Sequence, residues 1–132
     1  DAICIKGLLA RVQRDIAAGE KTALSRTGEL GFGDVVDAYR QGDAYTLRVI
    51  DEIAGAVDII IANIVNLLDI DCVVLGGEYQ NFTPAIIRRF QRDFARVCRR
   101  PPQMLDGVLR QYAGVQGIFY IARDAYFDSI CQ

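Results

Sequence analysis

Residues 53–79, IAGAVDIIIANIVNLLDIDCVVLGGEY, join the longest apolar run of the chain to a short β-rich run and a double glycine. On a helical wheel at about 100° per residue, Arg48, Asp51, Glu52, Asp58, Asn63 and Asn66 fall within an arc of roughly 140°. The remaining arc carries Ile50, Ile53, Ala54, Val57, Ile60, Ile61, Ile64, Val65, Leu67 and Leu68. This pattern predicts a helix buried over most of its circumference, with one narrow polar strip. It is not a membrane span, because Asp58, Asn63 and Asn66 interrupt any window of about 20 residues.

The continuation sets the fold class. Asp69-Ile70-Asp71 ends the helical pattern, and Cys72-Val73-Val74-Leu75 reads as a short strand covered on both faces. Gly76-Gly77 stops that strand. A further helical pattern begins after Thr83, a good N-cap, with Pro84 at the first helical position. Long buried helix, buried strand, Gly-Gly turn and helix make one αβα unit of an α/β protein.

The rest of the chain follows the same logic. Ile5, Leu8, Leu9, Val12 and Ile16 fall at helical spacing and predict an amphipathic helix over 2–18, with Gly19 at its C-terminal cap. The polar, glycine-containing stretch 20–33 predicts a loop docked by Leu30 and Phe32. A short helix from Gly33 to Gln41 turns Val35, Val36 and Tyr39 inward, and Gly42 ends it. Asp43 caps the long helix 44–68. Helix 84–99 places Ile86, Ile87, Phe90, Phe94 and Val97 on one face and Arg88, Arg92, Arg96 and Arg99 on another. Residues 103–110 read as a strand, weakened by Gly107, and 113–130 as the last helix.

At 132 residues the chain is one domain or a piece of one. It opens on Asp1 without an initiator Met, which suggests a fragment or a processed form. No secretory leader is visible. Residues 1–71 hold 7 basic and 12 acidic residues, and residues 72–132 hold 8 and 5. The second half is therefore mildly basic, well short of the concentrated charge of a DNA-binding domain. There is no histidine, and Cys4, Cys72, Cys98 and Cys131 lack CxxC spacing, which argues against a zinc site. Cys4 and Cys72 read as small core residues, and the compartment as reducing and cytoplasmic.

Few residues offer chemistry. Without histidine no Ser/His/Asp or Cys/His arrangement can form. Gly76-Gly77 is the one loop with a ligand-binding look, since two glycines after a buried strand let backbone approach a nucleotide or sugar. Such glycines more often simply make a tight turn. The arginine row suits a solvated face better than a phosphate track, because Asp93 interrupts it. Asp58, Asn63 and Asn66 are better placed to bond across a helix interface than to touch a ligand. No carboxylate has surroundings that predict a shifted pKa.

IANIVNLLDIDCVVLGG (61–77) resembles the "ANLVNLLNPEVIVLGG" signature of the ROK proteins, a family named for repressors, open reading frames and kinases. FGDVVDAYRQGDAYTLRVIDEIAGAV (32–57) is similar to that family's approach helices. RRPPQMLDGVLRQYAGVQGIFYIARDAYF (99–127) is similar to its terminal strand, "AGxxGAA" turn and last helix. The resemblance covers nearly the whole chain, and its helix–strand–GG part is the most specific. It implies the actin-like, ribonuclease H-like ATPase fold, with two lobes and a ligand cleft between them. Residues 1–132 then form the C-terminal segment of a ROK domain, the helix-rich part of one lobe with a small sheet. The family's sugar kinases carry a DxGGT phosphate motif, a catalytic Asp and a zinc motif of one His with CxCGxxGC, and none of these is in this chain.

The resemblance implies that Gly76 and Gly77 lie beside a nucleotide in the kinases. Those enzymes usually have a third glycine where this chain has Glu78, whose carboxylate would repel a phosphate. DAYFDSI (124–130) resembles the tail of the family's sugar-responsive repressors. The expectation is therefore the C-terminal effector-binding and oligomerisation portion of a sugar-responsive transcriptional regulator. The alternatives are the C-terminal part of an ATP-dependent sugar kinase and a free-standing interaction domain. The expected chain has no catalytic residue, no bound metal and no cofactor of its own, zinc and ATP belonging to intact family proteins. Its partners are a second copy of itself, a sugar effector, and DNA reached through an N-terminal helix-turn-helix outside this chain. No membrane is involved. Ile60, Ile64, Leu67, Val73 and Val74 are expected to be nearly fully buried. Leu8, Leu9, Val12, Val35 and Val36 are expected to add apolar surface for self-association.

Overall fold

The structure, a computed structural model, describes residues 4–26, 29–94, 97–108 and 112–130. Helix α1 (Ile5–Ala17) leads through a 3-10 turn (Ala23–Arg26) to α2 (Phe32–Arg40) and the 25-residue α3 (Ala44–Leu68). Strand β1 (Cys72–Leu75) and a 3-10 turn (Glu78–Phe82) follow, then α4 (Thr83–Arg89), which widens into a π-helical turn (Phe90–Phe94). Strand β2 (Gln103–Asp106) and α5 (Ala113–Ile130) complete the described chain. The predicted bounds of α3, β1 and α5 are those observed, and Cys131 lies outside the described residues.

Helix α3 starts where it does because Asp43 answers its open backbone donors. The Asp43 carboxylate accepts from the Thr46 N–H at 2.9 Å and the Thr46 hydroxyl at 2.8 Å. It also accepts from the Ala23 N–H and the Thr22 hydroxyl, both at 2.9 Å, tying the 3-10 turn to the helix start. Burial pushes the Asp43 pKa up, but these hydrogen bonds outweigh burial and the net shift is downward. At the other end Asp69 takes a left-handed conformation, φ 51°, and stops the helix.

Two apolar clusters flank α3. Leu8 and Val12 of α1, Val35 and Val36 of α2, and Tyr45, Val49, Ile50 and Ile53 of α3 close around Phe82. The Phe82 ring receives Phe32, Tyr39 and Tyr79 edge-on, with centroids 5.9, 5.1 and 6.1 Å away. Leu8, Val12, Val35 and Val36 are therefore core residues rather than spare surface, and Leu9 packs partly buried against them. The second cluster joins Ala54, Ile61, Ala62 and Val65 to Ile86, Phe90 and Cys98, with Val73, Leu75 and Met104 along its edge.

The sheet has two parallel strands, with Cys72 opposite Gln103 and Leu75 opposite Asp106. Two strands with helices on one side bury one face only, so the expectation of a strand covered on both faces is not met. Val73 is half-buried, whereas Val74 is 63% exposed and Cys72 is exposed. Ile60, Ile64 and Leu67 are exposed as well, because α4 covers one side of α3 and nothing described covers the other. Cys4 is exposed at the surface, where its sulfur caps α1 by accepting from the Gly7 N–H at 3.3 Å. Val97, expected on the apolar face of a helix over 84–99, lies beyond the π-helical turn and is exposed. Thr83 opens α4 but does not cap it; its hydroxyl donates to Asp106 at 3.1 Å.

Asp58 departs furthest from the sequence reading. The sequence places it in the polar strip of α3 as a residue that bonds across a helix interface, yet it is fully buried and neither carboxylate oxygen meets a hydrogen-bond partner among the described residues. Helix α4 lies across the part of the strip that holds Asp51 and Asp58. Arg89 lies across Gly55, where an added Cβ would come within 2.6 Å of its Nε, and its guanidinium pairs with Asp51 and, at 3.7 Å, with Asp93. Burial raises the Asp58 pKa to about 7; the Arg89 charge opposes this, and Asp93 and Asp51 add to it. The neighbouring Asn66 behaves as an interface residue, donating to the Val97 carbonyl and accepting from the Arg99 N–H, both at 3.1 Å.

The folded chain thus holds the Asp58 proton to about pH 7, while the unfolded chain releases it near 3.8. The associated stability is complete below the unfolded value, falls as pH rises from there through about 7, and is gone above that. Asp58→Asn, which cannot titrate, is expected to flatten this slope. Melting temperature measured from pH 4 to pH 8 checks it: wild type should lose several degrees relative to the variant across that range, and parallel curves would contradict it.

Candidate functional site

Parallel strands end on the same side, so the loops after β1 and β2 meet. In open α/β sheets the crevice outside the carboxyl ends of the strands is the usual place for a ligand. Here Gly76 and Gly77 leave β1 and Gly107 leaves β2. A cavity of about 440 Å³ opens between them and the end of α2. The family resemblance implicated Gly76 and Gly77; Gly77 lines this cavity, and Gly76 is exposed in the same turn.

Gly77 has φ 72° and ψ −158°, a region that side-chain-bearing residues avoid. Its carbonyl accepts from the Gln80 N–H at 3.2 Å, which starts the 3-10 turn. Gln80 is buried, and its side-chain amide donates to the Gly107 carbonyl, bracing the two post-strand loops against each other. The strands also come close here. The Gly107 N–H donates to the Leu75 carbonyl at 2.7 Å, and a Cβ on Gly107 would sit 2.8 Å from that oxygen. Gly107, read from sequence as a weakness in the strand, is instead what lets β2 end tight against β1.

Besides Gln80, the side chains of Arg40, Glu78, Asn81 and Asp106 ring the cavity. Arg40, from the last turn of α2, donates to Asn81 Oδ1 at 3.2 Å and lies 3.7 Å from Asp37. The Asn81 amide donates in turn to the Glu78 carbonyl at 2.8 Å. Asp106 Oδ1 takes the Thr83 hydroxyl, and the exposed Glu78 side chain faces the same space. Phe32, Pro84 and Tyr112 supply the apolar wall. Sequence reasoning singled out Glu78 but missed Arg40, Asn81 and Asp106, which lie on three separate elements. A cue was available for Asp106 alone, as an acid just before a glycine at a strand end. Among the described residues, no group of three or more His, Cys, Asp or Glu side chains is placed to hold a metal ion. No helix is long and apolar enough to cross a membrane.

The model of the ROK family matches residues 4–125. The chain belongs to the ROK family. No curated protein matches it. Among solved structures, this ROK chain is similar to a ROK family transcriptional regulator described as a homolog of the E. coli MLC protein. The two are 19% identical over 80% of this chain and 28% of that one, with a TM-score of 0.66. It is also similar to a protein of Cytophaga hutchinsonii ATCC 33406 provisionally described as a sugar kinase, at 24% identity and a TM-score of 0.69. That match covers 83% of this chain and 38% of the other. Both matches establish the fold: a helix-rich α/β portion with a small parallel sheet, corresponding to part of the actin-like ROK fold. The chain spans roughly a third of the length of these two structures.

The nucleotide implied by the family resemblance does not fit the residues present. A phosphate approaching Gly77 would meet the Glu78 carboxylate directly, and Asp106 across the crevice, with Arg40 as the one cation among the described lining residues.

The two glycines of the turn differ in what they tolerate. Both have open space around them, but Gly77 alone is held at a positive φ of 72°. Gly77→Ala should cost about 1–3 kcal/mol, and Gly76→Ala no more than about 0.5 kcal/mol. Urea unfolding of the two variants tests this, and equal losses would contradict it.

Proposed function

We propose that this chain is the effector-binding and oligomerisation portion of a sugar-responsive ROK-family transcriptional regulator. DNA contact belongs to a separate N-terminal segment, and the protein works in the cytoplasm. Glu78 carries the reading. It follows Gly77 directly, is exposed, and lines the crevice where a kinase of this family would receive nucleotide phosphate. A carboxylate at that position opposes phosphoryl transfer but does not oppose an uncharged sugar. The chain by itself holds no zinc and phosphorylates nothing.

A second reading, the C-terminal part of an ATP-dependent sugar kinase, draws on Gly77, whose positive φ keeps the turn free of side chains, and on the similarity to the Cytophaga protein. The intact protein separates the two. The regulator retains specific genomic DNA fragments and releases them on addition of a sugar, with no sugar-dependent ADP formation in a coupled assay. Hexose phosphorylation above background, by the intact protein or by this chain, overturns the regulator reading.

Self-association is the other part of the proposal. Ile59, Ile60, Ile64 and Leu67 on α3, and Val115, Ile118, Phe119 and Ile121 on α5, are 44–82% exposed. Contiguous apolar surface beyond a few hundred Å² is unusual for a monomer, and at about 25 cal/mol per Å² its burial favours pairing. The contact surface is therefore the C-terminal half of α3 and α5, not α1 or α2. Sedimentation equilibrium at micromolar concentration should give a dimer or larger species, and a clean monomer would contradict it.

A further inference from the structure

One guanidinium stands between two carboxylates at the α3–α4 interface and pairs with only one of them. Asp51, Gly55 and Asp58 follow each other at helical spacing, so they share one strip of α3. The Arg89 side chain lies across the middle of it, because Gly55 has no Cβ to meet its Nε at 2.6 Å. At about 1.5 Å of rise per residue, Asp51 lies about 6 Å along the axis to one side of Gly55 and Asp58 about 4.5 Å to the other. The guanidinium takes Asp51, whose side chain is half-exposed. Its Nε donates to nothing among the described residues, since Asp93 is 3.7 Å away and beyond hydrogen-bond reach. Asp58 is fully buried with both oxygens unpartnered. One unused buried donor and two unused buried acceptors thus occupy the same interface.

That arrangement suits a neutral Asp58 and no other. An ionised carboxylate cannot stay buried without a cation and donors. The charged groups acting on Asp58 are Asp51 from its own helix, Arg89 from the end of α4, and Arg92 and Asp93 from the π-helical turn. Arg92 is tied to Asp93 by hydrogen bonds of 2.7 and 2.8 Å, which leaves Arg89 as the cation able to answer. Burial holds the Asp58 proton to about pH 7. The chain has no histidine, so no side chain of ordinary pKa has its midpoint between pH 5 and pH 8. Cys98, in the neighbouring cluster, is pushed upward by burial and stays a thiol in this range.

We propose that Asp51, Asp58 and Arg89 form a proton-operated latch between α3 and α4: with Asp58 neutral the guanidinium pairs outward with Asp51, and with Asp58 ionised it swings over Gly55 to pair inward with Asp58. The proton passes to solvent water, and Asp51 is left as a free surface carboxylate. Gly55 supplies the room for the swing, and a side chain there would block it. The π-helical turn starts at the next residue, Phe90, where the wider helix can absorb a shift of the α4 end. At the other end of this seven-residue helix the Thr83 hydroxyl holds Asp106, so the latch carries a pH signal to the crevice. It depends on the packing of α3 and α4 alone, and stands whether the intact protein is a regulator or a kinase.

NMR of the 132-residue chain from pH 4 to pH 8 is the test, following the Asp58 carboxyl carbon and the Arg89 Nε–H resonance. In wild type both should move with one shared midpoint above pH 5, and the Thr83 and Asp106 amides should move with them. In Asp58→Asn the Arg89 resonance should stay fixed between pH 5 and pH 8. Asp51→Asn removes the outer partner and one repelling charge, and should lower the Asp58 midpoint by about one unit. The Asp51 side chain is half-exposed, so this variant keeps the fold and carries the test even if Asp58→Asn is unstable. The latch is overturned by a wild-type Asp58 midpoint below pH 5, or by an Arg89 resonance that stays fixed while Asp58 ionises. It is equally overturned by an Arg89 shift that persists in Asp58→Asn, or by an unchanged midpoint in Asp51→Asn. Movement of Arg89 with Thr83 and Asp106 unmoved overturns the coupling to the crevice.

Discussion

Burial of α3 along one flank is the constraint on which the other elements depend. Its first half supplies Tyr45, Val49, Ile50 and Ile53 to the cluster around Phe82, and its second half supplies Ile61, Ala62 and Val65 to the cluster around Phe90. A helix of 25 residues, capped by Asp43 and stopped at Asp69, holds the two clusters at a set separation. Helices α1 and α2 dock on the first, and α4 and the sheet on the second. Phe82 lies in the first cluster and Ile86 in the second, so the segment after the double glycine also crosses from one cluster to the other. That crossing carries the β1 loop past the end of α2 and brings Arg40 to Asn81.

The crevice is a consequence of this arrangement. Parallel strands put Leu75 and Asp106 side by side, and the chain leaves both strands through glycines, so backbone rather than side chain lines the junction. What then decides the chemistry is charge. Glu78 and Asp106 face one guanidinium, itself held by Asn81 and Asp37. The same backbone with a third glycine at position 78 would be open to a phosphate. A single side chain thus separates two uses of one loop.

The polar interior of α3 has a separate logic. Arg89 covers Gly55 and pairs with Asp51 and Asp93, while Asp58 sits beneath with both oxygens unpartnered among the described residues. A buried carboxylate without donors is more easily kept protonated than ionised. The helical wheel places Asp58 beside Arg48 and Asn63 on one polar strip, with bonds across a helix interface expected for it. It could not show that α4 lies across part of that strip. Asn66, in the same strip, is the interface residue expected, bonding to the backbone of Val97 and Arg99.

Local patterning in the sequence determined the elements. The cap at Asp43, the apolar arc of α3, the β-rich run 72–75 and the glycines that follow are contests between neighbouring groups, settled within a few residues. The ROK signature at 61–77 lies within that patterning. Only the tertiary structure decided which apolar residues are covered. Val74, Ile60 and Leu67 are as apolar as Val73 and Ile61; Val74 is exposed because the two-stranded sheet buries one face, and Ile60 and Leu67 because nothing described covers that side of α3. Tertiary structure also assembled the crevice, since Arg40, Glu78 and Asp106 come from three elements far apart in the chain. It sealed Asp58 beneath Arg89 as well. Burial and charge proximity depend on what packs from a distance, and no local periodicity encodes that.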